Sequence, residues 1–328
     1  MKYSILGRTD LRVSRLGFGC GSIGGLLVRG EYPKMRQAVS RALELGINYF
    51  DTAPLYGNGQ SEVNLGAVLR ELGAEALIGT KVRLTGKDVN RIGEAITGSV
   101  EGSLRRLGRE TIDLIQLHNR IGFSWQPEKD PDRIGLPDLD IAAGVFETLQ
   151  KQGKVRFWGI TAMGETDALR TAMIKGGFQS IQIPYNLLNP TAGGTAGEDF
   201  PFQDYGQLIG WAAQQAIGVI AIRILAGGAL SGTPERHPVA SPSVNPIASE
   251  EVYGDDVARA RRLSFLVEEG GVSGLVEAAV RFVVSNANVS TALLGISGLE
   301  QLEQAVKYVE LGPLSAETLA KIRQQKIN

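Results

Sequence analysis

Short, uninterrupted apolar runs recur along the chain, each followed by a segment of helical periodicity. The runs at 15–18, 49–50, 77–80, 114–117, 157–160, 181–183, 219–222 and 291–294 lack strict polar alternation. That is the pattern of parallel strands buried on both faces. Helical periodicity predicts helices over 34–45, 61–72, 90–107, 141–152, 165–175, 205–215, two pieces within 255–286, and 299–309. Gly46, Gly73, Gly108, Gly153, Gly176 and Gly218 supply stop signals where these segments end.

Eight strand–helix units predict a closed (β/α)8 barrel of the TIM type rather than an open sheet. A doubly wound sheet would open its first helix on a Gly-x-Gly-x-x-Gly turn. Here Gly17, Gly19, Gly21, Gly24 and Gly25 follow the first strand without opening a helix at once, and read as a loop lining a ligand site. Residues 2–13 read as a hairpin turning at Gly7–Asp10 and placed to plug the N-terminal end of the barrel. Residues 316–326 read as a last surface helix capped by Ser315. Long loops at 119–138 and 228–254, and a shorter one at 187–201, follow strands and belong on the C-terminal face. No linker or repeat interrupts 1–328, so one domain is expected.

Composition narrows the class. The 328 residues are 43% hydrophobic, enough for a large core, and the formal net charge of -1 comes without a Lys/Arg block. Neither a nucleic-acid partner nor a polybasic membrane role is expected. Cys20 is the single cysteine, which excludes an internal disulfide. No N-terminal leader pattern and no apolar run of membrane-spanning length is visible, so the expected location is the cytoplasm.

Candidate chemistry sits at the strand ends. Asp51 closes the second run and Tyr56 follows it in a turn containing Pro54 and Gly57. The third run leads into Lys81 and the fourth into His118. Taken singly, each has a bland reading: a turn cap, a solvated lysine, a half-buried histidine. Their joint placement on successive strand ends points to proton transfer. A tyrosine hydroxyl titrates near 10, too high for easy exchange at neutral pH, and a neighbouring ammonium lowers that value. Asp51 would keep Lys81 charged and oriented, and His118 would hydrogen-bond a substrate oxygen. Carbonyl reduction by hydride, in which an oxygen takes a proton as carbon takes hydride, suits this set.

The chain resembles the aldo-keto reductases over nearly its whole length. The likeness is carried by Gly17-Phe18-Gly19, the segment Phe50 to Gly57, Ser61-Glu62 with Leu65-Gly66, and Thr80-Lys81. It continues through Ser103-Leu104 with Leu107, Asp113 to His118, Gly153 to Arg156, and Gln182 to Asn186. The resemblance implies NAD(P)H bound at the C-terminal face of the barrel. It also implies Tyr56 as general acid, Lys81 and Asp51 as the pair that lowers its pKa, and His118 as orienter of the substrate oxygen.

The cofactor positions implied are Gly19, Asp51, Thr161, Gln182, Ile222, Arg223, Leu225, Gly227, Gly295, Ser297 and Gln301. Gln182 suits the nicotinamide carboxamide, since an amide pairs with an amide. Thr161-Ala162 stands where relatives often have Ser-Asn. Ile222 replaces a stacking aromatic, and Arg223 could reach either the pyrophosphate or the substrate. The 225–232 loop resembles a pyrophosphate cover, and 295–301 opens a helix suited to phosphate. That last segment carries Glu300 and no Lys or Arg, so weakened discrimination for the 2′-phosphate is expected, with NADP(H) favoured and NAD(H) the alternative. Tyr56, His118 and Trp125 are the expected substrate contacts, with further lining from Leu26, Tyr185, Phe200, Phe202 and Tyr253.

The expected ligand is a small carbonyl or alcohol, on a monomer or homo-oligomer. Two other classes stay open: a cofactor-sensing binding protein resembling potassium-channel β-subunits, and a barrel lyase or isomerase without a redox cofactor.

Overall fold

The structure of the protein, a computed structural model, describes residues 1–324. Eight parallel strands form a closed barrel in chain order. They are β1 (Leu16–Gly19), β2 (Tyr49–Asp51), β3 (Leu77–Val82), β4 (Ile112–Leu117), β5 (Val155–Thr161), β6 (Ser180–Pro184), β7 (Gly218–Ile222) and β8 (Thr291–Gly295). The barrel closes where β8 pairs with β1, Ala292 opposite Leu16 and Gly295 opposite Gly19. The strands are buried almost throughout, as their unbroken apolar runs required.

The outer layer consists of α1 (Tyr32–Glu44), α2 (Gln60–Glu71), α3 (Ile92–Leu107), α4 (Leu136–Lys151), α5 (Thr166–Lys175), α6 (Leu208–Gln214), α7 (Leu275–Ser285) and α8 (Leu299–Leu311). The expected helix ends shift most at α4. It begins at Leu136 rather than 141, because Pro137 sits in its first turn and the Asp138 carboxylate accepts the Gly135 N–H at 3.0 Å. The 119–138 loop is accordingly shorter than expected, and its two arms, Arg120–Gly122 and Arg133–Gly135, pair as a ribbon. The segment 255–286 holds three helical pieces rather than two: Tyr253–Arg261, Phe265–Glu268 and α7. Gly270 at φ 73, followed by Gly271 and Gly274, breaks the run.

The N-terminal hairpin pairs Tyr3–Ile5 with Arg12–Ser14. Its Leu6, Leu11 and Val13 form a cluster with Tyr49, Leu114 and Ile220 from inside the barrel, so the hairpin seals the bottom. Arg8 fastens it by donating to the Phe178 carbonyl at 2.5 Å. At the other terminus the Ala316–Gln324 helix is capped by Ser315, whose hydroxyl accepts the Thr318 N–H at 3.0 Å. Residues 325 and 326 of that expected helix lie outside the described residues. No helix among the described residues is long and apolar enough to cross a membrane.

Candidate active site

Strand register decides what meets at the top of the barrel. Gly19, Asp51 and Gly79 stand side by side on β1, β2 and β3. Gly79 is needed there: a Cβ at that position would lie 2.2 Å from the Tyr49 hydroxyl and 3.1 Å from Asp51 Oδ2. The space it leaves lets Tyr49 donate to Asp51 Oδ2 at 3.1 Å. Lys81, one strand over, is 1% exposed and ion-pairs with Asp51 Oδ1 while donating to the Thr52 carbonyl at 2.8 Å. Gln182 on β6 donates to Asp51 Oδ2 at 2.5 Å. Asp51 thus has three side-chain donors around it, as a carboxylate 1% exposed requires.

Tyr56 is held above this pair by a tight turn. Its N–H donates to the Ala53 carbonyl at 3.1 Å, and its carbonyl accepts the Ser61 N–H at 3.2 Å. Gly57, Asn58 and Gly59 all have positive φ, which turns the chain directly into α2. Ser61 and Glu62 then bolt α2 to the strand ends. The Ser61 hydroxyl donates to the Cys20 carbonyl at 2.9 Å, and Glu62, fully buried, accepts from Thr80 and Arg106 at 2.6 Å each. Lys81 Nζ stands 5.0 Å from the centre of the Tyr56 ring. The His118 ring lies edge-on to the same ring at 6.3 Å between centroids. Asn119, fully buried, fixes the backbone beside His118 by accepting the Leu84 N–H and donating to the Leu84 carbonyl, both at 2.8 Å. The sequence reading did not single out Asn119; only its place after a strand end hinted at such a clamp.

The electrostatics differ from expectation in one respect. Burial pushes the Tyr56 hydroxyl up and Asp51 adds to this, while Lys81 pulls it down; the net shift is upward. Without cofactor, desolvation outweighs the ammonium, and Tyr56 is held as a protonated donor. Burial alone would lower Lys81, but Asp51 and Tyr56 raise it, so the ammonium is secure. His118 is pushed down to about 3, by burial first and by Lys81 and Arg83 after it. A neutral imidazole therefore faces the site at physiological pH, able to donate through one nitrogen.

A cavity of about 620 Å³ opens over these groups. Asp51, Tyr56 and His118 line its floor, while Lys81 lies behind them. Every expected cofactor position is on its wall: Gly19, Thr161, Gln182, Ile222, Arg223, Leu225, Gly227, Gly295, Ser297 and Gln301. The Thr161 hydroxyl is buried and without a partner, an unmet polar group where the resemblance put the carboxamide end of the nicotinamide. Glycines at 21, 24, 227 and 228 keep the upper walls bare of side chains, the last two at φ 71 and 114. These features fit a dinucleotide: an unpaired hydroxyl at one end and backbone-lined walls along its length. Among the described residues, no cluster of His, Cys, Asp and Glu is placed to hold a metal ion.

Some assignments shift. Ser297 and Gln301 are partly used internally: the Ser297 hydroxyl donates to the Gly24 carbonyl at 2.7 Å, and its N–H donates to Gln301 Oε1 at 3.1 Å. Trp125 is not among the cavity-lining residues; it packs against the core beneath the paired 120–135 ribbon. Of the further aromatic and apolar candidates, Tyr253 lines the cavity. Leu26 and Tyr185 are core residues, Tyr185 against the Phe282 ring at 5.0 Å, and Phe200 packs on Phe202 at 5.5 Å. Arg236 and His237, which no sequence pattern singled out, are carried onto the wall by the 228–254 loop, Arg236 beside Gly227 and His237 beside Gly298. Their only signal was being basic side chains in a long loop after a strand. The same loop spans the cavity, with the Ser241 N–H donating to the Ile23 carbonyl at 3.0 Å and Arg29 bonding the carbonyls of Val239 and Ser22.

Residues 15–327 match the profile of the Aldo/keto reductase family. The chain belongs to this family. It is 27% identical to L-galactose dehydrogenase of Arabidopsis thaliana, over 97% of this chain and 92% of that one. It is 28% identical to a Schizosaccharomyces pombe protein provisionally named a voltage-gated potassium channel subunit beta, over 98% of this chain and 92% of that one. The aldo-keto reductase AKR11C1 from Bacillus halodurans, in its holo form, superposes with a TM-score of 0.71 at 27% identity, covering 99% of this chain and 96% of that one. As an aldo-keto reductase, the protein is an oxidoreductase that uses a nicotinamide cofactor and a small-molecule substrate.

Proposed function

We propose that the protein reduces an aldehyde or ketone to an alcohol, or runs the reverse on a sugar-like alcohol, with Tyr56 as the general acid or base. The observation that carries this reading is the buried Lys81–Asp51 ion pair directly behind the Tyr56 ring. When bound, NAD(P)H supplies a hydride to the carbonyl carbon. Tyr56 gives its proton to the carbonyl oxygen as that oxygen gains charge, and the fixed ammonium of Lys81 stabilises the phenolate left behind. Neutral His118 donates a hydrogen bond to the same oxygen and orients it. Asp51 keeps Lys81 charged and aimed. Thr161 and Gln182 would hold the carboxamide, and the walls at 21–24 and 225–228 would hold the phosphates. NADP(H) is the favoured cofactor, with NAD(H) the alternative. We place the enzyme in the cytoplasm as one domain over 1–328, acting as a monomer or homo-oligomer.

The test is a panel of aldehydes, ketones and sugars followed by NADPH or NADH absorbance, with dinucleotide binding measured separately by fluorescence. Turnover of at least one carbonyl class is expected. Tight dinucleotide binding with uniformly negligible turnover would favour the sensor reading, which the likeness to channel β-subunits supports. No binding of either dinucleotide would point to a lyase or isomerase.

A further inference from the structure

Arg223, the first residue after β7, is held in a conformation that residues with side chains rarely adopt, φ 56. The fold maintains it from both sides. Its carbonyl accepts the Asn186 side-chain amide at 2.9 Å and the Ala226 N–H at 2.7 Å. The result is a guanidinium directed at the wall shared with Tyr56 and His118.

That guanidinium is poorly matched by the protein alone. It donates to the Asn245 carbonyl at 3.2 Å and, among the described residues, makes no ion pair. Asp256 acts on it from further away, but is itself engaged by the Ser249 hydroxyl at 2.7 Å and the Glu250 N–H at 3.2 Å. The other arginines on the wall are committed. Arg236 bonds the carbonyls of Ser241 and Gly227 at 2.6 and 2.9 Å and lies over the Tyr253 ring, and Arg120 is paired with Asp130 at 2.6 Å. Arg223 engages one of its five donors in the Asn245 bond, and the residue lines the cavity. A half-buried cation with no close counter-ion among the described residues suits an anionic ligand, and a guanidinium fork matches a carboxylate or phosphate.

We propose that Arg223 receives a carboxylate or phosphate carried by the substrate, so that the enzyme selects acidic carbonyl compounds. The proposal rests on the carbonyl-reductase reading above. Arg223, Tyr56 and His118 line one cavity of about 620 Å³, which puts the anion site within one small molecule's reach of the reacting oxygen. The cofactor pyrophosphate has the same chemistry and is the competing source.

The experiment pairs 4-carboxybenzaldehyde with benzaldehyde, which share a reacting group and differ by one carboxylate. The readout is the ratio of their kcat/KM values in wild type, Arg223→Met and Arg223→Lys. A structural or cofactor-holding role lowers both rates together and leaves the ratio alone. The wild type should favour the acid by about tenfold or more, Arg223→Met should bring the ratio near one, and Arg223→Lys should keep part of it. A second arm measures binding of the alcohols, 4-(hydroxymethyl)benzoate against benzyl alcohol, to NADPH-loaded protein, and NADPH binding to each variant. A wild-type ratio near one in both arms overturns the proposal. So does an unchanged ratio in Arg223→Met with a weakened NADPH affinity, which assigns Arg223 to the pyrophosphate. Absent turnover together with an Arg223-dependent binding preference keeps the anion site and removes the reductase reading instead.

Discussion

The strand ends and the loop that spans them solve different problems. Asp51, Lys81 and Gln182 sit on barrel strands, nearly sealed from solvent, with Lys81 and Gln182 both bonded to Asp51. The 223–254 segment carries its polar groups on irregular backbone, with Arg223, Ala226, Gly227 and Gly228 at positive φ. A proton-transfer site needs fixed distances, and buried strands give them at the cost of uncompensated charge if one partner is lost. A binding cover must admit and release its ligand, so it is built from turns that can move. The contrast assigns rate to the floor of the cavity and affinity and selectivity to its cover.

Mutations at the floor should show the largest effects. Tyr56→Phe should reduce turnover by about 10²–10⁴-fold while dinucleotide binding, read by fluorescence, stays intact. Retained turnover would move the proton donor elsewhere and dissolve the contrast. Next in size, Lys81→Met leaves Asp51 buried without its cation and should cost about 3–5 kcal/mol in urea denaturation. A Lys81→Met/Asp51→Leu double variant should recover much of that stability but no activity, separating the energetics of the pair from its chemistry.

A pH effect of intermediate size comes from His118. Its unfolded value is near 6.5 and its folded value about 3. Between these limits the unfolded chain binds a proton that the folded chain does not. Stability should therefore fall as pH is lowered from about 6.5 toward 3, and be unaffected by this group above that range. His118→Gln should flatten the slope measured between pH 6.5 and 5; an unchanged slope would place the imidazole in solvent. The smallest effect belongs to the cover. Gly227→Ala would put a Cβ 2.5 Å from Val244 on backbone at φ +71. It should cost about 1–2 kcal/mol and raise the dinucleotide dissociation constant without a change in kcat at saturation. A kcat loss comparable to that of Tyr56→Phe would mean that the cover takes part in chemistry.

The barrel was legible because its signals are local. Apolar runs marked all eight strands; the first observed strand is shifted by one residue and the other seven extend their runs by one to three. That Asp51, Tyr56, Lys81 and His118 meet at one end of the barrel was legible because the ends of successive strands in such a fold lie side by side. The packing of Trp125 against the core was not legible, since a loop aromatic faces core or cavity according to how the loop pairs with itself. The pairing of Arg120–Gly122 with Arg133–Gly135 depends on contacts across the loop that no local pattern encodes. Arg236 and His237 were not legible for the same reason: the loop that carries them lies over the cavity only because it is tied to Ser22 and Ile23 across it.

By itself the sequence determined the barrel, the candidate site residues and the family, because periodicity, strand ends and turn residues are properties of neighbouring positions. Tertiary structure alone decided the balance of charge. Whether Tyr56 is pulled down by Lys81 or held up by burial depends on how deeply both lie. That Arg223 makes no close ion pair depends on which acids its neighbours have already engaged. Both are sums over groups distant in the chain, and only the closed barrel with its cover in place fixes them.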